Sequence, residues 1–156
     1  MIRSMQAADL ESVVSIEQQV QTHPWRLTQF QQSLDHYACT VLLHKDQVIG
    51  FCILQCVLDE ANLLLMAIDP KFQGQGFGAQ LLSQSIQQLK NHPVQIFLEV
   101  RESNLAAIRL YEKLEFHQID LRKNYYPCAS GGREHAVIMV KSCHDSFEDM
   151  FSANTK

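Results

Sequence analysis

The chain is short of most features that would give a quick functional class. It has no run approaching the roughly 18 apolar residues of a membrane-spanning helix. Asp9, Glu11 and Glu17 stand where a signal peptide would need an apolar core. The five cysteines, Cys39, Cys52, Cys56, Cys128 and Cys143, are odd in number and contain no C-x-x-C pair, which argues against a disulfide framework and a zinc ribbon. The 7 histidines are scattered without H-E-x-x-H or paired ligand spacing, so no metal site is expected. Basic residues are in deficit, 13 Lys and Arg against 17 Asp and Glu for a net charge of −4, which argues against a general nucleic-acid binder. Repeats, low-complexity tracts and a linker are absent. These absences lead us to expect a cytoplasmic protein in a reducing compartment, with no direct nucleic-acid or membrane partner.

What is present suits one globular domain. A chain of 156 residues with 46% hydrophobic and 19% charged residues buries enough surface to need no covalent staples. Residues 1–4 read as a short strand. A helix over about 8–20 follows, with Leu10, Val13, Val14, Ile16 and Val20 near helical period. His23-Pro24-Trp25 breaks it, and Thr28 with Gln31 suggests a capping box opening a second helix. Residues 38–44 and 48–58 form an expected antiparallel hairpin around Lys45-Asp46-Gln47, and ANLLLMAI (61–68) forms the next strand, apolar on both faces.

After Pro70 comes a turn with Gly74, Gly76 and Gly78, then a helix with Phe77, Leu81, Leu82, Ser85, Ile86 and Leu89 on one side. A strand over 94–100 makes this a right-handed parallel crossover. A helix over 104–114 follows, with Ala107, Leu110, Tyr111 and Leu114 in phase. Strands at about 117–123 and 134–141 flank an expected long loop holding Tyr125, Tyr126, Pro127 and Gly131-Gly132. The domain is expected to span 1–142, with 143–156 a flexible tail.

The glycine turn admits several readings. A plain strand-to-helix turn is one, although each glycine inside a regular element costs roughly 0.5–1 kcal/mol relative to alanine. A phosphate cradle is another, because free N–H groups and the helix dipole converge on one spot. A Walker loop is excluded, since no Lys-Ser or Lys-Thr follows the glycines. A dinucleotide fingerprint fits Gly74, Gly76 and Ala79 with Glu99 further on. Against it, four residues from Pro70 to Gln73 separate the strand from the first glycine, and only one crossover unit is available.

Gln73-Gly74-Gln75-Gly76-Phe77-Gly78 is Q-x-x-G-x-G, and with the preceding strand it resembles the coenzyme A loop of the GNAT superfamily of N-acetyltransferases. VLDEANLLLMAIDPKFQGQGFG, FLEVRESNLAAIRLYEKLEF and RKNYYP strengthen the resemblance, which covers roughly residues 1–141. These blocks resemble the branch that acetylates the N-terminal alanine of a small-subunit ribosomal protein. The implied fold is the α/β GNAT acetyltransferase fold: a mixed, mostly antiparallel central sheet with one parallel crossover pair and helices on both faces. The implied co-substrate is acetyl-CoA, and the implied partner is a ribosomal-protein N-terminal peptide met by a monomer or weak dimer. Two departures are visible. Gly74 replaces a commonly basic residue, and Glu115 replaces a glycine where a helix C-cap often needs positive φ.

The resemblance places the acetyl and pantetheine groups along Met66, Ala67 and Ile68, and the pyrophosphate on amides of Gly74, Gln75, Gly76, Phe77, Gly78 and Ala79. It makes Glu99 the general base and Tyr111 the general acid for the coenzyme A thiolate. By residue type alone, Glu99 reads equally as a rim carboxylate paired with Arg101, and Tyr111 as core packing. Apolar neighbours in FLEV are expected to wall the Glu99 carboxylate. Asn104 is a helix N-cap candidate that the resemblance also puts on the cofactor. Trp25, Tyr125 and Tyr126 fall in regions the resemblance assigns to the incoming peptide; Trp25 reads alone as a core anchor. The cysteines lie beside no recognisable base, so direct attack in a ternary complex is expected rather than a covalent enzyme intermediate.

Overall fold

The computed structural model describes residues 1–143, and the C-terminal stretch read as a tail lies outside the described residues except for Cys143. In chain order the elements are β1 (Ile2–Ser4), α1 (Leu10–Val20), α2 (Leu27–His36), β2 (Ala38–His44), β3 (Gln47–Val57), β4 (Glu60–Ile68), α3 (Phe77–Gln87), β5 (Gln95–Arg101), α4 (Leu105–Lys113), β6 (His117–Pro127) and β7 (Arg133–Ser142). The strands form one sheet in the order β1-β2-β3-β4-β5-β7-β6. Among the described strands only β4 and β5 pair in parallel, through α3, as the crossover expectation required. No described helix is long and apolar enough to cross a membrane.

Strand alternation gives the sheet two apolar faces, each with its own core. Val41, Phe51, Ile53 and Ala67 pack with Val13, Ile16 and Phe30 of α1 and α2. Leu42, Cys52, Leu54 and Ile68 pack on the opposite side with Leu81, Leu82 and Tyr111 of α3 and α4. The β2–β3 hairpin turns on Lys45 and Asp46 at φ 51° and 63°, the paired left-handed geometry that matches strand twist in a two-residue turn.

Two expectations about local structure are corrected. The second helix is not capped by Thr28 and Gln31: it opens one residue before Thr28, with Arg26 as cap and the Gln29 Oε1 accepting the Arg26 N–H at 2.8 Å. Just ahead of this cap the Trp25 N–H donates to the Glu17 carboxylate at 2.9 Å. Tyr125, Tyr126 and Pro127 are not in a loop but belong to β6, leaving a short connection over 128–132. β6 is an edge strand, where a proline costs no ladder bond.

The sheet forks beside its parallel pair. β4 and β5 stay in register only from Glu60↔Gln95 to Leu63↔Leu98, although both strands run on. At the same level the β3 register steps from Ile53↔Leu65 to Leu54↔Leu63, leaving Leu64 unopposed as a bulge. A bulge bends and over-twists its strand. Beyond it, the β4 edge from Leu64 to Ile68 carries backbone polar groups that β5 does not pair.

Candidate active site

The glycine turn lies just past the open β4 edge. Asp69 accepts the Lys71 N–H at 3.0 Å and closes a short turn headed by Pro70. Gln73 then reaches back, its Nε2 donating to the Ile68 carbonyl at 3.0 Å. Gly74 and Gly76 take φ of 75° and 87°, and a Cβ at either would meet nothing within 4 Å, so the backbone conformation is what demands glycine there. Gly78 has a different reason: its Cβ would stand 3.2 Å from Leu110 Cδ2, so the helix comes this close to α4 only without a side chain.

The first bond of α3 runs from Gln80 N–H to the Gly76 carbonyl at 3.2 Å. The six N–H groups from Gly74 to Ala79 donate to no backbone carbonyl among the described residues. They form a row of donors at the positive end of a helix dipole, which suits a pyrophosphate. Phe77 packs away from that row, with ring centroids 5.5 Å from His44 and 6.1 Å from Phe72.

Across the fork stand β5 and α4. Asn104 caps α4, its Oδ1 accepting the Ala107 N–H at 3.2 Å, while its Nδ2 donates to no partner among the described residues. Met66 is half-buried, while Ala67 and Ile68 are buried with their side chains in opposite cores. Their contribution to a ligand is therefore backbone along the open edge.

Glu99 opens on a cleft of about 330 Å³ that Leu64, Leu98, Tyr126 and Ile138 also line. The expected apolar wall does not enclose it, since the Glu99 side chain remains 34% exposed. Its ion pair is not with Arg101. Arg122 Nη1 donates to Glu99 Oε1 at 2.8 Å, while Arg101 donates to the Pro127 carbonyl at 2.9 Å and approaches Glu134 at 3.5 Å.

Tyr111 is 9% exposed and packs with Phe116 at a centroid distance of 5.8 Å. Burial pushes its phenol well above the ordinary tyrosine value, with Cys52 and Tyr126 adding smaller effects in the same direction. Burial likewise pushes the Cys39 thiol up to about 11 and the Cys52 thiol up to about 12. Both thiols stay protonated near neutrality, which makes them poor nucleophiles.

Tyr125 and Tyr126 sit in a β6 bulge, where Arg122↔Ala136 and Tyr126↔Glu134 enclose extra residues. Asn124 takes φ 52° there, and its N–H donates to His135 Nδ1 at 3.0 Å. Arg122 stacks 4.0 Å from the Tyr125 centroid and Arg101 4.5 Å from that of Tyr126. Tyr126 shares the Glu99 cleft, and burial pushes its phenol up to about 12.

Trp25 lines a separate, open depression of about 530 Å³ with His23, Pro24 and Val14. Its ring packs on Phe30 at 5.6 Å, as a core anchor does, and the depression shares no lining residue with the Glu99 cleft. Glu17, Arg122 and His135 were not singled out by sequence reasoning. Glu17 is hidden because it reads as one more polar residue on an amphipathic helix. Arg122 and His135 acquire partners only through the pairing of β6 with β7.

The model of the acetyltransferase (GNAT) family matches residues 3–116. A ribosomal protein bS18-alanine N-acetyltransferase of Haemophilus influenzae is 48% identical over 141 residues, covering 89% of this chain and 96% of that protein. The crystal structure of the ribosomal-protein-S18-alanine N-acetyltransferase from Escherichia coli superposes with a TM-score of 0.86 at 39% identity, covering 94% of this chain and 95% of that one. The Arabidopsis thaliana NAA60 structure in complex with acetyl-CoA shares the fold at 17% identity and a TM-score of 0.79, covering 91% of this chain and 97% of that one.

Proposed function

The chain belongs to the acetyltransferase (GNAT) family, and from this we propose that it transfers the acetyl group of acetyl-CoA to the N-terminal alanine amine of ribosomal protein bS18. The substrate rests on the 48% identical relative that carries this activity in its name. The observation that carries the chemistry is the fork: open β4 edge, unpaired amides of α3 and the Glu99 cleft lie at one end of the sheet.

The steps follow from what acyl transfer to an amine requires. Pantetheine runs along Met66, Ala67 and Ile68, and the pyrophosphate meets the amides from Gly74 to Ala79, with Asn104 Nδ2 nearby. The acceptor enters beside Tyr125 and Tyr126, on the Glu99 cleft that Tyr126 lines. Its neutral nitrogen attacks the thioester carbon, the C–S bond breaks as the C–N bond forms, and Glu99 takes the nitrogen's proton. Tyr111 returns a proton to the leaving thiolate. Holding both reactants in one site removes much of the entropic barrier.

An N-terminal amine fits a lone carboxylate base. With a pKa of about 7.7–8.0, deprotonation at about pH 7.5 costs roughly 0.5 kcal/mol, against about 4 kcal/mol for a lysine near 10.4.

The test incubates the protein with acetyl-CoA and, in parallel, a lysine-containing peptide carrying the bS18 N-terminus or a polyamine, reading free thiol release and acetyl position by mass spectrometry. Acetylation of the α-amine supports the proposal. Modification of an internal lysine or of a polyamine instead would make it a different acetyltransferase, and tight acetyl-CoA binding without turnover would make it a binding module.

A further inference from the structure

Glu99 and Arg122 are on strands that do not touch. β7 runs between β5 and β6, pairing Glu99 with Ile138 on one side and Arg122 with Ala136 on the other. Cross-strand partners share a face, and so do residues two apart on one strand, so all four side chains project to the same side. The carboxylate and guanidinium therefore meet over β7, spanning two strand spacings of about 4.8 Å each. Ala136 presents only a methyl group beneath them, leaving the path clear.

Arg101 is the nearer cation by sequence and also pairs with Ala136, yet Pro127, Glu134 and the Tyr126 ring hold it elsewhere. Arg122 is held from below as well, over Tyr125 at 4.0 Å. Tyr125 in turn is placed by the β6 bulge that the Asn124 bond to His135 secures. Only Oε1 of Glu99 is engaged; Oε2 has no hydrogen-bond partner among the described residues.

We infer that Arg122 is a positioning residue for the acceptor amine. It clamps Oε1 of Glu99 from across β7 so that Oε2 is left for the incoming nitrogen. A guanidinium stacked on an aromatic ring gives up little freedom on binding a carboxylate, which a lysine in its place would not match. As an ion pair open to solvent it contributes little to folding. The consequence belongs to turnover rather than stability. The inference rests on Glu99 being the base.

The full chain is assayed with acetyl-CoA and the bS18 N-terminal peptide as wild type, Arg122→Met, Arg122→Lys, Glu99→Gln and the Glu99→Gln, Arg122→Met pair. Arg122→Met is expected to lower kcat by roughly 10–100-fold, with the KM for acetyl-CoA and the thermal midpoint unchanged and part of the loss recovered in Arg122→Lys. In the Glu99→Gln background the same change is expected to alter kcat by no more than about twofold, because the carboxylate it positions is gone. An undiminished Arg122→Met effect in that background, or wild-type kcat in Arg122→Met alone, overturns the inference while leaving Glu99 as base. Full activity of Glu99→Gln overturns the base and the inference together.

Discussion

The Tyr111 carbonyl accepts the Phe116 N–H at 2.9 Å, tying α4 to the strand that follows it. With the Glu115 N–H on the Glu112 carbonyl at 3.0 Å and the Tyr111 ring against Phe116, this is a Schellman closure. Its left-handed position is filled by Glu115 at φ 72°. An L residue pays roughly 1–2 kcal/mol there, part of which glycine returns through unfolded-chain entropy. Glu115→Gly should therefore raise stability by about 0.5–1 kcal/mol, seen as a higher urea midpoint at constant slope. A lower midpoint would show that the Glu115 side chain supports the corner.

Glu17 is fully buried, with one oxygen on Trp25 N–H and the other without a partner. Burial raises its carboxyl above the ordinary value, only partly opposed by the Trp25 bond. A raised folded value means that its stabilising form is complete below the unfolded value near 4.3 and is lost as pH rises through the folded one. Glu17→Gln keeps an acceptor for Trp25 without the charge, so it should be at least as stable as wild type at pH 7. Glu17→Ala should lose about 1–3 kcal/mol by stranding that amide. Chemical denaturation of both variants decides; a Gln variant as weak as Ala would mean the charge itself is needed.

Alkaline stability follows from the buried thiols. Cys39 at about 11, Cys52 at about 12 and the raised Tyr111 phenol keep their protons in the fold after the unfolded chain has lost them. Above roughly pH 8.5 each thiol therefore destabilises the fold by about 1.4 kcal/mol per pH unit until its folded value is reached, and the phenol joins above about pH 10. Cys52→Ala should flatten that decline between pH 9 and 11 in a series of denaturation curves. An unchanged slope would remove Cys52 from the account.

Gly76 and Gly78 should fail differently when replaced by alanine. Gly76→Ala meets no neighbour but must hold φ near 87°, so the loop should reshape and the KM for acetyl-CoA should rise by roughly tenfold, the equivalent of about 1.4 kcal/mol. Gly78→Ala presses on Leu110 Cδ2, the end of a flexible side chain, so its effect should be a lower thermal midpoint with little change in KM. Steady-state kinetics and thermal melts on both variants separate the two; equal KM changes would contradict the assignment.

For the proposed proton transfers, Glu99→Gln should lower kcat/KM by about 10²–10⁴-fold. Tyr111→Phe should lower kcat more than either KM, since the hydroxyl acts after both substrates are bound. Burial keeps the Tyr111 proton in place, so wild-type kcat should show no fall from this group below about pH 10. A kcat unchanged in Tyr111→Phe would leave Tyr111 as packing alone.

What could be read along the chain is what local chemistry controls. Apolar periodicity marked the strands and helices, Asn104 was recognisable as a cap from its place ahead of an apolar run, and Glu115 stood where a left-handed corner was due. The glycine turn was visible as a candidate anion cradle, and Glu99 stood out as the acid of an apolar strand. Each signal acts over a few residues, within reach of one turn or one helix period.

Only the tertiary structure decided the rest. The fork exists because a bulge at Leu64 coincides with the end of β4–β5 pairing, and nothing in LLLM marks that place. Gly78 serves packing against Leu110, a neighbour supplied by another helix. Tyr125 and Tyr126 belong to a bulged edge strand, which turn-forming residues around them disguised as a loop. The meeting of Glu99 with Arg122 depends on the register of β5 and β6 against β7. Register is set by the whole sheet, so a slip of one residue would turn either side chain to the opposite face.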